Sequence, residues 1–337
     1  MAMMKQVINF IKEWTLPCAI AAGATIYLIF ALIPGLSDAA DFFSPIMDTL
    51  MPVVLFLVLL VTFCKVNFHK MRPTRWHWMV CAFQIITVAM VFGLIKGFDL
   101  HGRSLILAEG VLICIIGPGA TAAAVVTEKL GGNLVSMTTY TFISNFLAAL
   151  TIPLLFPLIE LKSEYTVLQS FLLILERVCE ILVLPMAVAY VIKHYFHRLH
   201  KRIISITDLS FYLWAFSLMI TTGITVKNIA HAEVGVWFLI AMAAVVAVVC
   251  FVQYAAGHYI GVHERFPIEG AQALGQKNTS FAIWISYIYL NPIASVCPGF
   301  YVLWQNIVNS YELHHYSQES ARAHTQNPDM TEKWIKN

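Results

Sequence analysis

Long apolar stretches follow one another along almost the whole chain, and they restrict the fold more than any other feature. Ten of them reach the length of about 20 residues that an α-helix needs to cross the hydrocarbon core of a bilayer. Backbone polar groups find no water there, so each stretch must be helical. With 59% apolar and 12% charged residues among 337, we predict an all-α membrane protein with ten transmembrane helices. The predicted spans 1 to 10 cover residues 15–34, 46–66, 77–97, 104–128, 134–159, 166–193, 206–227, 234–259, 268–290 and 293–314.

Lysine and arginine residues are distributed unevenly between the two sides of these spans. Fifteen lie in the N-terminal segment, the even-numbered loops and the C-terminal tail, whereas four lie in the odd-numbered loops. Because Lys and Arg accumulate on the cytoplasmic side of membrane proteins, this pattern supports ten spans with both termini in the cytoplasm. The net charge of +2 gives no reason to expect a nucleic-acid partner.

Two predicted spans contain residues that interrupt a helix in mid-membrane. Span 4 carries Gly117, Pro118 and Gly119, and proline both lacks a backbone donor and clashes with the preceding turn. Span 9 carries a polar run over residues 275–280. Interrupted helices at the fourth position of each set of five predict a transporter site at the membrane midplane. The alternative is a proline kink accompanied by hydrogen bonds between helices.

The spans divide the chain into three parts. Residues 1–163 and 164–315 each hold five spans, which permits two repeats of inverted topology. Residues 316–337 lose the apolar pattern and are predicted to form a disordered, polar cytoplasmic tail.

Lys277 is the most informative single residue. It lies near the middle of span 9, where an unpaired charge costs at least about 2.5 to 3.5 kcal/mol. Its ammonium has three candidate roles: it binds a carboxylate substrate, it occupies the place of a bound cation, or it exchanges a proton during transport. The alternative is an ion pair that fixes helix packing.

Three further charged residues lie within span 6, namely Glu176, Arg177 and Glu180. The spacing of three places Arg177 and Glu180 on one helix face, which favours a structural ion pair. The sequence has no HExxH, GxSxG or Walker A motif, so we predict no enzyme, no catalytic residues, no cofactor and no ATP-driven pump.

The predicted site combines the two interruptions with polar residues of neighbouring spans. An isolated polar residue in an apolar span more often links helices than binds a ligand, so the second group is weaker than the first. The first group is Lys277, Asn278, Thr279, Gln276, Pro118, Gly119, Thr121 and Thr141, and the second is Gln84, Ser280, Asn145 and Asn306.

Three segments in register are similar to the motifs of one known family. Residues 118–122, followed by Gly132 and Asn133, are similar to a PGGTASNVMT segment and the G-N after it. Gly275, Asn278 and Ala282 resemble a G-x-Q-N-x-x-L-A segment, and residues 297–310, CPGFYVLWQNIVNS, resemble a tenth-helix motif. With these segments the chain resembles the bile acid:sodium symporter family, in its bacterial branch.

The resemblance implies a core of spans 3 to 5 and 8 to 10, a panel of spans 1, 2, 6 and 7, and broken spans 4 and 9 that cross at mid-membrane. It also implies alternating access for organic anions, coupling to two sodium ions and a bacterial inner membrane. Four positions that carry the family's sodium ligands have lost their oxygen atoms, although Thr141 is retained. These positions are Ala123, Ala124, Ala273 and Met137.

The family's glutamine in Q-N aligns with Lys277, and a gapless match from Pro267 aligns Lys277 with the family's acidic residue instead. Both alignments put a cation where sodium chemistry was. We therefore predict a sodium-independent secondary transporter of a small organic anion in the lipid bilayer, either proton-linked or facilitative. The alternatives are a sodium-coupled symporter and, from another class, a membrane receptor or scaffold. The sequence specifies neither the substrate nor the oligomeric state.

Overall fold

The computed structural model describes residues 15–33, 35–67, 70–160, 165–206, 209–231 and 234–326. Within these ranges the backbone is helical apart from short connections, which confirms the all-α prediction. The first seven helices are α1 (Thr15–Leu32), α2 (Ser37–Lys65), α3 (Arg75–Gly97), α4 (Gly102–Ile116), α5 (Ala122–Lys129), α6 (Leu134–Ile159) and α7 (Val167–Val178). The others are α8 (Leu184–Tyr195), α9 (His197–Ser205), α10 (Leu209–Ala230), α11 (Val236–Glu264), α12 (Pro267–Gly275), α13 (Thr279–Tyr289) and α14 (Val296–Gln326).

Four helices are long and apolar enough to cross a membrane on their own. They are α3, α6, α11 and the Tyr212–Ala230 part of α10. Shorter apolar stretches occur in α1 and α2. Large apolar side chains are exposed on these helices, including Met90 at 62% and Leu150 at 61%, which favours contact with lipid rather than water. The protein is therefore an integral membrane protein.

The helices follow the predicted spans with instructive differences. Span 4 consists of α4 and α5, and span 9 consists of α12 and α13, so both predicted interruptions are present. Span 6 contains a π-helical turn, Cys179–Val183, between α7 and α8. Helix α14 continues to Gln326, so the backbone stays helical beyond residue 316, where the sequence predicted a disordered tail. Residues 327–337 lie outside the described ranges.

The helices pack in two neighbourhoods. One is built around α10 and α2, with α1 and α8 against them. In the other, α11 packs along α12, α14 and α4. The α11–α12 contact is unusually close, because a Cβ atom added at Gly257 would lie 2.0 Å from the carbonyl oxygen of Gly270. Only glycine allows two helix backbones to approach this closely, so α12 is held firmly against α11.

Candidate functional site

The two interruptions cross each other in the interior of the protein. Gly119 and Lys277 form an antiparallel backbone bridge. The Ala120 amide donates to the Gln276 carbonyl at 2.9 Å, and the Asn278 amide donates to the Pro118 carbonyl at 2.8 Å. Each break therefore satisfies backbone groups that the other leaves without a helical partner. This crossover is the centre of the candidate site.

The Lys277 side chain is 1% exposed and does not reach the membrane surface. Its Nζ donates to the carbonyl oxygen of Ile115 at 2.9 Å, in the last turn of α4. In the described ranges no carboxylate oxygen lies within 4.0 Å of this amine, so the ion pair considered as the alternative is not formed. The ammonium instead lies at the C-terminal end of a half-helix, where the helix dipole is negative and cations are stabilised.

Side chains from three directions satisfy the carbonyl groups at the end of α4. Gln84 of α3 contributes two of these hydrogen bonds, and its own Oε1 accepts from the hydroxyl of Tyr140 at 3.2 Å. The carbonyl pairs are Cys114 with Gln253 at 3.3 Å, Ile115 with Lys277 at 2.9 Å, and Ile116 and Gly117 with Gln84 at 3.2 and 3.4 Å. A helix end buried in an apolar interior thus keeps no unpaired carbonyl in its last turn.

The end of α12 is held by α14. The Tyr301 hydroxyl donates to the Gly275 carbonyl at 2.8 Å, and Gln305 Oε1 accepts from the Lys277 amide at 3.0 Å. On the opposite break, the Ser144 hydroxyl of α6 accepts from the Gly119 amide at 3.0 Å. The crossover is therefore fixed by α3, α6, α11 and α14 together.

A narrow cavity lies between the crossover and the helices α2 and α10. It leaves about 10 Å³ for the centre of a water molecule, which is room for about one water and far too little for an organic solute. No acidic residue lines it, and Lys277 is the lining residue that carries a charge. The lining residues are Leu55, Val58, Leu59, Ala120, Thr121, Trp214, Ser217, Gln276, Lys277, Asn278, Thr279 and Gln305.

Helices α5 and α13 both have their N-terminal ends at this cavity. Asn278 caps α13 because its side chain accepts from the Phe281 amide at 3.2 Å, whereas Thr121 makes no such cap for α5. Within the described part of the chain, the amides of Thr121 and Ala122 find no acceptor. Free amides at a helix N-terminus are a site where an anion is stabilised.

The other predicted site residues differ in whether they contact the crossover or the cavity. Gln84 contacts the first break, and the Ser280 hydroxyl lies 3.1 Å from that of Ser217 on α10. Thr141 donates to the Met137 carbonyl of its own helix at 3.1 Å and does not line the cavity. Asn145 is fully buried with both polar side-chain atoms unpaired among the described residues.

Asn306 does not contact the crossover. Its side chain donates to the Val302 carbonyl of α14 at 2.8 Å, whereas the adjacent Gln305 reaches the second break. The resemblance pointed to the asparagine of the W-x-N motif, and a shift of one residue on a helix turns the side chain by about 100°. Gln305 is thus a site residue that the sequence reasoning missed.

The four positions expected to have lost sodium ligands lie in one apolar cluster beside the crossover. Ala123, Met137 and Ala273 are 0% exposed and Ala124 is 7% exposed. The cluster is completed by Trp76, Val80, Cys81, Ala120, Tyr140 and Leu274. Sodium, like other hard cations, takes oxygen ligands, and none of these four side chains supplies one.

Two buried glutamates were also missed, and they occupy related places. Glu109 on α4 is 0% exposed and accepts from the amide of Asn291 at 3.2 Å. Glu269 on α12 is 4% exposed and accepts from the amide of Asn133. Glu109 precedes the first break and binds Asn291, in the connection that follows α13. Glu269 precedes the second break and binds Asn133, in the connection that follows α5. The signal was available, since an acidic residue inside a predicted span is unusual.

Arg177 and Glu180 form the predicted ion pair, with 3.1 Å between Nη1 and Oε2. Their side chains are 60% and 46% exposed, so the pair is not part of the buried crossover. Glu180 lies within the π-helical turn and Arg177 lies just before it, so the pair belongs to this turn rather than to the candidate site.

Four helices long enough to cross a bilayer, together with two interrupted helices that cross at their breaks around a buried lysine, define an α-helical membrane protein. The model of the Sodium Bile acid symporter family matches residues 52–232, which is more than half of the chain. The chain belongs to this family, and the predicted resemblance is confirmed. Members are transporters rather than enzymes, so the chain is of the bile acid/sodium symporter type. The match includes the first break and ends before the second. No curated protein matches the chain.

Proposed function

We propose that this protein is a secondary transporter that moves a small organic anion by alternating access without sodium. The observation that carries the proposal is the position of Lys277 Nζ, buried at the crossover and bonded to the Ile115 carbonyl at 2.9 Å. When protonated, the Lys277 amine stabilises the negative end of α4, as a bound cation does in a sodium-coupled protein.

The loss of sodium ligands supports the same proposal. Ala123, Ala124, Met137 and Ala273 form part of an apolar cluster, which cannot replace the hydration shell of a sodium ion. A protonated Lys277 supplies the positive charge that the ion would bring to this point. Thr141, the retained threonine, uses its hydroxyl within its own helix.

The electrostatics of the cavity favour an anion. Its lining combines one ammonium with two helix N-termini and contains no carboxylate. Thr121, Thr279 and Ser217 add hydroxyl groups that bind carboxylate or sulfate oxygens. Trp214 and the aliphatic residues of α2 offer an apolar surface for the organic part of the solute.

The architecture that we propose has ten spans, in which α4 with α5, α7 with α8, and α12 with α13 each count as one. Residues 1–163 and 164–315 then form two inverted repeats, with spans 3 to 5 and 8 to 10 as the core and spans 1, 2, 6 and 7 as the panel. The reciprocal contacts of Glu109 and Glu269 support this symmetry, because they relate the two halves through the crossover. The excess of Lys and Arg in the even-numbered loops supports a location of both termini in the cytoplasm. The resemblance to the family's bacterial branch is the basis for placing the protein in a bacterial inner membrane.

The position of the cavity supports alternating access. It lies between panel helices α2 and α10 and the crossover of the core, and it is too small for an organic solute in this conformation. A solute enters only when the panel and core separate on one side. Movement of the core against the panel then exposes the same crossover to either side of the membrane.

A thermal-shift experiment on the purified full-length protein tests the proposal. Carboxylates and sulfates are added in sodium chloride or in potassium chloride, and at least one anion is expected to stabilise the protein equally in both. Strict dependence on sodium overturns sodium independence and favours a sodium-coupled symporter. Uptake of the stabilising anion into proteoliposomes separates a transporter from a receptor, which binds without uptake.

Two substitutions at Lys277 separate its charge from its hydrogen bond. Lys277→Gln keeps an N–H donor for the Ile115 carbonyl but removes the charge, whereas Lys277→Met removes both. We expect both variants to lose anion stabilisation, by about 1.5 to 3 kcal/mol of binding free energy. Asn306→Ala is the matched control. Normal anion binding by a folded Lys277→Gln contradicts the role of the charge.

A further inference from the structure

Helix α9, residues His197–Ser205, lies at the surface of the protein. None of its nine residues is buried. Phe196 separates α9 from α8, and its backbone is not helical, so the two helices do not continue as one straight helix. Helix α9 packs only along its contacts with α2 and α8, so most of its side chains face the surroundings of the protein rather than its interior.

The side chains of α9 and of the residues at its two ends form two faces. Successive residues of an α-helix are rotated by about 100°, which places four large apolar residues within an arc of about 80° and four basic residues opposite them. Three of the apolar side chains, those of Phe196, Leu199 and Ile206, are 57%, 46% and 53% exposed, and the Arg and Lys side chains of the other face are exposed. The apolar face consists of Phe196, Leu199, Ile203 and Ile206, the basic face consists of His197, Arg198, Lys201 and Arg202, and His200 and Ile204 lie between them.

The positive charge of the basic face is not compensated by neighbouring acidic residues. Residues 181–207 contain no Asp or Glu. Arg198, Lys201 and Arg202 form no ion pair with any residue of the described ranges. A cluster of Lys and Arg on an amphipathic helix next to a membrane span is the pattern that binds anionic lipids. The apolar face of such a helix lies at the boundary between the headgroups and the acyl chains.

Two side chains of the segment that joins α8 to α9 bind the end of α2. Lys193 Nζ donates to the Val66 carbonyl at 2.6 Å, and His200 Nε2 lies 2.8 Å from the carbonyl oxygen of Cys64. These carbonyls are at the C-terminal end of α2, where basic side chains are favourable because the helix leaves its last carbonyls unpaired. Helix α2 also lines the cavity of the candidate site. Helix α9 is therefore attached to a helix that borders this site.

We propose that α9 is an interfacial anchor, which binds the phosphate groups of anionic membrane lipids with its basic face and lies among the adjoining acyl chains with its apolar face. Such a lipid supplies what the described part of the chain does not give to α9, namely a negative counter-charge and an apolar cover. Through Lys193 and His200, the bound lipid also fixes the end of α2 at the membrane surface. The lipid site goes beyond the proposed function and does not depend on it.

Thermal unfolding of the detergent-solubilised full-length protein tests the anchor. Phosphatidylglycerol is expected to raise the unfolding temperature of the wild type more than phosphatidylcholine does, and salt is expected to reduce the difference. The variant Arg198→Gln/Lys201→Gln/Arg202→Gln is expected to lose this difference, because each cation near an anionic surface contributes about fivefold to binding. The control Arg72→Gln/Arg75→Gln/Lys129→Gln removes the same charge from exposed positions elsewhere and is expected to keep it. Equal loss in both variants, or no loss in the first, overturns the proposal. Equal stabilisation by glycerol phosphate, which has no acyl chain, overturns the lipid as the ligand.

Native mass spectrometry provides a second measurement if the triple variant does not fold. Phosphatidylglycerol molecules that remain bound are counted on the wild type and on single variants. Arg198→Gln and Arg202→Gln are each expected to bind this lipid about fivefold more weakly, and Arg75→Gln is expected to match the wild type. Equal retention by all four proteins overturns the anchor. Specific lipid retention by a protein that takes up no anion in proteoliposomes supports the anchor and contradicts the proposed transport function, so the two proposals fail separately.

Discussion

The two interrupted helices reach the same crossover by different chemistry. The first break is made by the backbone, since Gly117, Pro118 and Gly119 end α4, and neighbouring side chains then satisfy its carbonyls. The second break contains polar side chains of its own, and Lys277 and Asn278 bind groups around both breaks. The comparison shows that the first broken helix contributes mainly backbone groups to the crossover. The second supplies the side chains of Lys277 and Asn278, which are the ionisable amine and the helix cap.

The half-helices that lead to the breaks are also held differently. Helix α12 approaches α11 through Gly257 and Gly270, with backbone against backbone. Helix α4 is held by side chains, because a Cβ atom at Gly110 would lie 2.3 Å from the sulfur of Cys297 rather than from a backbone atom. We therefore expect α12 to tolerate added side-chain volume less than α4 does.

The largest effect is expected for Gly257→Ala. The added Cβ would lie 2.0 Å from the Gly270 oxygen, and two helix backbones cannot yield as a side chain does. We expect a loss of about 3 kcal/mol in the free energy of unfolding, measured on the detergent-solubilised protein. Gly93→Ala is the control, since a Cβ atom added at Gly93 would meet no described atom within 4 Å. Equal stability of the two variants contradicts the close packing of α12.

A smaller effect is expected for Gln84→Leu. This substitution leaves the Ile116 and Gly117 carbonyls and the Tyr140 hydroxyl without partners, which costs about 1 to 3 kcal/mol of stability. Gln305→Leu removes one hydrogen bond at the second break and is expected to cost less. Thermal unfolding of both variants measures the difference. A reversed order means that the second break depends more on its neighbours than the first.

The helix caps at the two breaks give the next comparison. Asn278 caps α13 through the Phe281 amide, so Asn278→Ala is expected to lower stability by about 1 kcal/mol. Thr121 makes no side-chain cap for α5, so Thr121→Ala is expected to leave stability nearly unchanged. Anion binding distinguishes a second role for Thr121, which lines the cavity. If Thr121→Ala lowers the free energy of unfolding as much as Asn278→Ala does, the expected difference between the two caps is wrong.

Asn306→Ala is expected to have the smallest effect. Its amide donates within α14, so its loss changes stability by less than about 0.5 kcal/mol and leaves anion binding intact. Gln305→Ala, one residue earlier, removes the contact with the Lys277 amide and is expected to weaken both. Thermal shift with and without the anion checks the pair. If Asn306→Ala loses more stability and anion binding than Gln305→Ala, then Asn306 rather than Gln305 is the α14 residue of the site.

The sequence predicted the helical membrane character, both interruptions and the burial of Lys277, because each depends on local chemistry. Apolar length requires helices in lipid, proline ends a helix, and a mid-span lysine needs a partner. The sequence did not predict Gln305 or the glutamates. Their importance arises from contacts over long separations, such as that between Glu109 and Asn291.

The order of apolar and broken segments along the chain was therefore fixed locally, by the absence of water in the bilayer and by the residues that end helices. Which groups meet at the crossover was decided only by the tertiary structure. Lys277 and Ile115 are 162 residues apart, and no local rule selects a backbone carbonyl rather than a carboxylate as the partner of this amine. Helix packing selects the partner of this amine, because it brings the end of α4 to Lys277 and leaves no acidic residue of the described ranges within ion-pair distance.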